Sequence, residues 1–487
     1  MDRNAKGLYW TGWFAAVLAV GGVLGTYAWC LWGSPAFGLL ADQSHHVHFA
    51  EEFDRAWRDS DFPPRWAAGA NGGRGSVAFV VYPPLFAFLT ACWMRLGVSG
   101  PEALRLAVFT ATVGIVLSVL YLARTWLSWR RSLFAAALVL LLPGVTFVAL
   151  GRGMLPNYAA LGWAALLLGA GQRALLGRRA VFNSALTAVA AAGLALTHTL
   201  TAYLLILLLL VISPLLGRAL GLRRMAWAGV SALAAASLTC WYWLPLMQAG
   251  SYTRLNYLVE SHLYLDSVIG ASVQAAGGEF QQDWIFLNDV GRYIVIGQSL
   301  LAFLLTLALR GNKTRNQTIE RPTRGADGQH TPPVDVLFLR ALPWVAAFAL
   351  LAATEFGGRL LLELPGAALI QFSWRWQILI ALWCALALAS LPWEKKSLPP
   401  AILALVTLAL FSPLLAASNI QPSDQRRDLP AVLSRLEFEK LPTLDRAAYL
   451  GNLLEQRPNG VDTRYYLPAA FGRAEIVSGE ASVVSTN

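Results

Sequence analysis

Charge is scarce in this chain of 487 residues, where only 14% are Asp, Glu, Lys or Arg. A soluble chain of that length divides into several domains with far more charge, so the soluble class is excluded. Cysteine is scarcer still. The four, Cys30, Cys92, Cys240 and Cys384, lie inside apolar runs and lack the spacing of metal ligands or of a disulfide framework. They read as small core residues. There is no Gly-rich nucleotide loop, no arrangement of Ser, His and Asp that makes a triad, and no run of acids inside the apolar stretches to form a proton path.

What is present is apolar. Mean hydropathy is +0.51, 56% of residues are hydrophobic, and 19 are tryptophan. Apolar stretches of about 17 to 25 residues recur along the chain and read as membrane-crossing helices. Eleven are expected: 11–33, 103–123, 132–150, 156–172, 181–198, 199–216, 225–245, 291–310, 335–355, 367–392 and 398–416. The class is therefore an all-α polytopic membrane protein. The first stretch follows Arg3 and Lys6 without a small-residue cleavage site and reads as a retained anchor. The net charge of +10 does not point to nucleic acid, because the bases cluster in short connections, as topology signals do.

Those clusters fix the expected sides. Arg124, Arg130 and Arg131 form one, and Arg173, Arg178 and Arg179 the next. Arg218, Arg223 and Arg224 follow, then Lys313, Arg315, Arg321 and Arg324, then Lys395 and Lys396. All fall on the side of the N-terminus if the stretch "SVAFVVYPPLFAFLTACWMRLG" (76–97) enters and returns on the outer face. Pro83 and Pro84 remove two backbone donors and break a helix there, so a re-entrant or interfacial hairpin is expected. The orientation is then that of a bacterial inner-membrane protein with a cytoplasmic N-terminus and a periplasmic C-terminus. A membrane module, 1–417, carries external loops at 41–75 and 246–290, and a short external tail follows over 418–487. The loop 311–334 reads as a solvated, disordered linker.

The polar chemistry gathers on the outer face. Residues 41–66, "ADQSHHVHFAEEFDRAWRDSDFPPRW", carry six acids and three of the six histidines. Phe49, Phe53 and Trp57 recur at helical spacing, which predicts an amphipathic helix in the interface with its apolar stripe towards lipid or protein. Glu51, Glu52, Asp54 and Asp59 fit its polar face. Asp42 stands apart, since a carboxylate at the membrane boundary needs a partner or a task. His45 and His46 lie three and four residues on, within reach on one helix face. A divalent metal on Asp42, His46 and His48 is chemically allowed, although the spacing matches no metal signature. Arg375 lies inside an apolar stretch, and Arg152 and Arg359 at external ends. For each arginine alone, snorkelling or pairing with Glu355 or Glu363 is the plainer reading, but three converging on one face point to an anionic ligand, and arginine suits bidentate phosphate contact. His198 sits at a helix turn, where a structural histidine is as ordinary as a functional one.

The ordered set "DQSHHVHF", "DFPPRW", "YPPLFAFL", "GRGMLPNYAALGW", "LTHTLTAYL", "WYWLPL", "FSWRWQIL" and "DTRYYLPAAF" resembles the GT-C superfamily of membrane glycosyltransferases. More closely, it resembles bacterial membrane proteins labelled "6-pyruvoyl-tetrahydropterin synthase-related". The resemblance runs from about residue 40 to 470. It implies transfer of a sugar from a polyprenyl-phosphate carrier to a glycan, lipid or protein acceptor at the external face, usually with inversion. It also implies Asp42 as catalytic base, Arg152 and Arg375 on the lipid phosphate, and Tyr82 in the sugar pocket. His45, His46, His198 and Arg359 complete the expected substrate-binding set. Asp42 is followed by Gln43 and Ser44, so the paired acids of several GT-C branches are absent. A flippase or transporter of lipid-linked sugar, and a non-catalytic scaffold for envelope assembly, are the other classes compatible with these residues.

Overall fold

The computed structural model describes residues 3–33, 37, 42–70, 75–249, 264–265, 267–269, 281–310, 323–324, 330–331, 334–391, 474–477 and 480–483. Helices dominate. In chain order they are α1 (Arg3–Gly33), α2 (Asp42–Arg58), α3 (Ala78–Val81), α4 (Leu85–Arg95), α5 (Gly100–Ala123), α6 (Trp129–Leu141), α7 (Pro143–Thr146), α8 (Leu155–Leu175), α9 (Ala180–Thr197), α10 (Thr199–Ala249), α11 (Gln281–Arg310), α12 (Val334–Ala352), α13 (Glu355–Leu362) and α14 (Gln377–Ser390). Two short antiparallel pairs add little: Thr323–Arg324 with His330–Thr331, and Ala474–Val477 with Glu480–Val483. The first lies within 311–334, so that stretch is not wholly without local structure.

Among the described residues, six helices are long and apolar enough to cross a membrane, or seven if the bent pair Trp129–Leu141 and Pro143–Gly151 counts as one. This is a multi-pass membrane protein. The eleven crossings expected are reduced for stated reasons. The stretch 398–416 lies outside the described residues. The stretches 199–216 and 225–245 belong to one helix of 51 residues, α10. The stretch 335–355 yields a shorter apolar helix, Ala341–Ala352. Finally α8, which holds Asn157, Gln172 and Arg173, is not among the six.

The chain forms two compact units. The first comprises Met1–Gly33, Phe109–Thr239 and Ser261–Ile420. Its centre is the stretch Ser373–Ser390, every residue of which is buried, packed by α6, α7, α8, α11 and α12. The third expected crossing is bent by 52° at Leu142–Pro143. Leu142 is extended ahead of the proline, and Pro143 opens α7, where its missing N–H is harmless. The Gly144 N–H then donates to the Gln298 side chain of α11, whose amide nitrogen donates to the Gln377 carbonyl at 2.9 Å. A Cβ on Gly144 would lie 2.9 Å from the Gln377 Cβ, so only glycine fits. A π-helical turn, Phe147–Gly151, carries the chain on to α8.

The second unit comprises Ser34–Val108, Cys240–Glu260 and Gln421–Asn487. The break at Pro83–Pro84 is observed: α3 ends at Tyr82, which is extended, and α4 starts after Pro84. At 11 residues, α4 is too short to cross a bilayer, which takes about 20. Helix α2 packs on α4 over a core of Phe49, Phe53, Ala67, Ala70, Ala78, Phe79, Ala87 and Ala91. The stripe of α2 therefore faces protein, which resolves the expected choice between lipid and protein.

Candidate functional site

The expected site residues fall into two groups, one in each unit. In the second unit, Asp42 is the first residue of α2, and its side chain lies outside the described residues. An acid there suits the positive end of the helix dipole. Within the next two turns of α2, His46 and Phe49 come against the α3–α4 junction. The His46 ring meets Phe86 edge-on at 5.7 Å and lies 6.4 Å from Tyr82. Tyr82 is stacked on Phe49 at 4.8 Å, and Tyr242 from "WYWLPL" donates to the Val81 carbonyl at 3.0 Å. Three of the quoted motifs thus meet around Tyr82. His45 is half-buried.

The acids of α2 are not all on a solvated face. Glu52 and Asp54 are buried, a correction to the reading of α2 as simply polar on that side. Glu52 accepts the Gly69 N–H at 2.6 Å and pairs with Arg55 at 2.9 Å. Asp54 pairs with Arg58 at 2.6 Å, with Arg95 at 3.9 Å. Burial raises the Glu52 carboxyl pKa, an effect opposed by the Gly69 hydrogen bond and Arg55. His48 is buried, and burial, with His45 and Arg55, pushes its pKa down to about 4. A buried neutral histidine of this kind suits packing. Among the described residues no three His, Cys, Asp or Glu side chains come together to hold a metal.

In the first unit, "GRGMLPN" and "FSWRW" are brought together. The Phe372 and Trp374 rings are stacked at 4.8 Å. The Arg152 guanidinium lies 6.0 Å from the Trp374 ring and that of Arg375 5.2 Å from the Phe372 ring. Phe147 of the π-helical turn meets Trp374 edge-on at 5.2 Å. In α11, a Cβ on Gly291 would clash with the Trp374 indole, so glycine lets that ring seat. Arg375 is buried and donates to the Gln371 amide oxygen at 3.0 Å and to the Leu369 carbonyl at 3.4 Å. Gln371 itself sits at φ 62°, a left-handed conformation costly for a residue with a Cβ and concentrated at ligand sites. Below them, Ser373 is tied to Ser267 by two hydrogen bonds, and the Trp376 indole donates to the Tyr264 hydroxyl at 3.2 Å.

Two expected residues are employed elsewhere. Arg359 pairs with Glu355 at 2.8 Å one turn apart on the exposed side of α13. His198 joins α9 to α10, and its Nδ1 accepts the Thr201 N–H at 3.1 Å. It caps α10, which is the structural role. Trp374 and Gln371 are not marked as site residues by the sequence, although Trp374 sits inside a quoted motif. Gly291 gave no local signal, because its role depends on a ring from another helix.

The six or seven apolar helices able to cross a bilayer among the described residues define a helical, multi-pass membrane protein. Among solved structures, the chain is similar to ArnT from Cupriavidus metallidurans in the apo state, at 17% identity over 77% of each chain with a TM-score of 0.38. No family model and no curated protein matches. The GT-C resemblance therefore stands on the sequence motifs, and the closer one to the pterin-labelled membrane proteins finds no support.

Proposed function

We propose that this protein is a GT-C-type membrane glycosyltransferase acting at the periplasmic face of the bacterial inner membrane. It moves a sugar from a polyprenyl-phosphate donor to a glycan, lipid or protein acceptor. The observation that carries the reading is that Arg152 and Arg375, distant in sequence, both lie against the stacked Phe372 and Trp374 rings. Two guanidinium groups beside aromatic surface suit a phosphate ester with an apolar tail.

In the reaction, an acceptor hydroxyl oxygen attacks the anomeric carbon and the bond from that carbon to the phosphate oxygen breaks. The hydroxyl proton passes to the Asp42 carboxylate. Polyprenyl phosphate departs as a stable anion, so no strong general acid is needed, and the arginines stabilise the charge that develops on it. Tyr82, His45 and His46 are proposed as substrate-binding residues of the second unit. His198 and Arg359 are left out of this set because their side chains serve the helix cap and the ion pair. A divalent metal is not required by these steps.

The test is sugar transfer by purified wild type and Asp42→Asn, alongside donor binding. Asp42→Asn keeps the shape and removes basicity, so turnover falls by about 10²- to 10⁴-fold with donor affinity intact. A flippase would keep its transport rate in Asp42→Asn. Equal turnover removes Asp42 from the mechanism.

A further inference from the structure

Asn157 is wholly buried in the first turn of α8, and neither its amide oxygen nor its amide nitrogen has a hydrogen-bond partner. An amide brings two donors and an acceptor with two lone pairs. Leaving all of them buried and unbonded is among the larger penalties a fold carries, and such groups call for an explanation. Its neighbours along the helix, Leu155, Pro156 and Tyr158, are buried too.

The location supplies the explanation. Asn157 follows Arg152 by five residues, in the first turn of the helix that starts at Leu155, four residues past the π-helical turn Phe147–Gly151, and single π turns recur at functional sites. Trp374, the ring that Arg152 faces, is buried with its indole N–H also unbonded. Two independent polar groups, one along the chain from Arg152 and one across space from it, thus await partners. Both are neutral, so neither compensates a buried charge. An amide that donates and accepts matches adjacent hydroxyls of a sugar, whereas a charged group belongs to the arginines.

We infer that Asn157 is a sugar-binding residue, contacting the neutral polyol head of the lipid-linked donor whose phosphate lies at Arg152 and Arg375. The inference rests on the donor reading given above. In this arrangement the ligand-free fold carries the strain of an unbonded amide, and bound sugar relieves it.

The experiment compares full-length wild type and Asn157→Leu in detergent. The ligands are bare undecaprenyl phosphate and undecaprenyl phosphate bearing one of a panel of neutral hexoses and pentoses. Melting temperature and binding are measured for each. Bare lipid stabilises both proteins equally. One sugar of the panel adds a further increment in wild type, and Asn157→Leu loses it, binding that lipid about tenfold more weakly. Without ligand, Asn157→Leu melts at or above wild type, because the unbonded amide is gone. Should Leu prevent folding, Asn157→Ala reads the same increment without a clash. An increment that survives in the variant, or that no sugar produces in wild type, overturns the role of Asn157 alone. Failure of wild type to bind either lipid overturns the donor reading, and this inference with it.

Discussion

Arg375 concentrates the chemistry of the first unit in one side chain. A guanidinium that is only 5% exposed inside an apolar stretch costs free energy on any scale, and its bonds to Gln371 and to the Leu369 carbonyl are to neutral oxygens. Arg375→Lys keeps the charge but loses the planar fork, so donor binding should weaken by on the order of 1–3 kcal/mol. Full activity with lysine would show that charge alone suffices. His48 shows the opposite arrangement, a titratable group held neutral. The unfolded chain takes up the proton near pH 6.5 and the folded chain only near 4. Stability from this group is therefore intact above pH 6.5, is lost as pH falls towards 4, and changes no further below that, by up to about 3 kcal/mol in total. Glu52 titrates with the opposite sign, since burial raises its pKa, so the measurement is the difference between wild type and His48→Leu. That difference should change between pH 7 and 4.5, and a flat difference would show that His48 ionises freely. At this scale the sequence marked Arg375 through its cost in an apolar run. It could not mark Glu52, because an acid beside an amphipathic stripe looks solvated until Gly69, 17 residues on, folds back to cover it.

Among the elements, α2 is held by aromatic packing more than by its ion pairs. Phe53 is 2% exposed and meets Phe62, Phe79 and Phe88 edge-on at 6.1, 5.5 and 5.9 Å. Phe53→Ala removes the hub of that cluster and should lower the stability of the second unit by about 3–5 kcal/mol. Hydrogen exchange along α2 and α4 reads it, and unchanged protection would mean that the cluster collapses around the gap. The pair Arg58–Asp54 has one exposed partner, so its removal matters less. The stripe Phe49, Phe53, Trp57 was legible from spacing alone, as was the break at Pro83–Pro84, since both follow from local chemistry. The bend at Leu142–Pro143 was legible in principle from its proline. The continuity of α10 was not, because Arg218, Arg223 and Arg224 suit a helix interior as well as they suit a loop.

For the whole molecule, α10 sets charge against helix geometry. Its 51 residues extend about 76 Å, more than twice the hydrocarbon thickness of a bilayer. Two apolar parts, Thr199–Ile212 and Ala226–Ala249, flank the arginines, and one straight helix does not place both in the same membrane. If α10 crosses once, every later connection changes side, and Lys313, Arg315, Arg321 and Arg324 face outwards. That breaks the rule all the earlier clusters obey. It also leaves the Ile206 and Leu210 side chains, which are 55% and 61% exposed, in water instead of lipid. Both terms favour two crossings. Single cysteines at positions 71 and 313, in a background where the four native ones are replaced, decide between the two. An impermeant thiol reagent applied from outside the cell should label position 71 and miss position 313. Labelling at both positions would overturn this assignment and place position 313 outside.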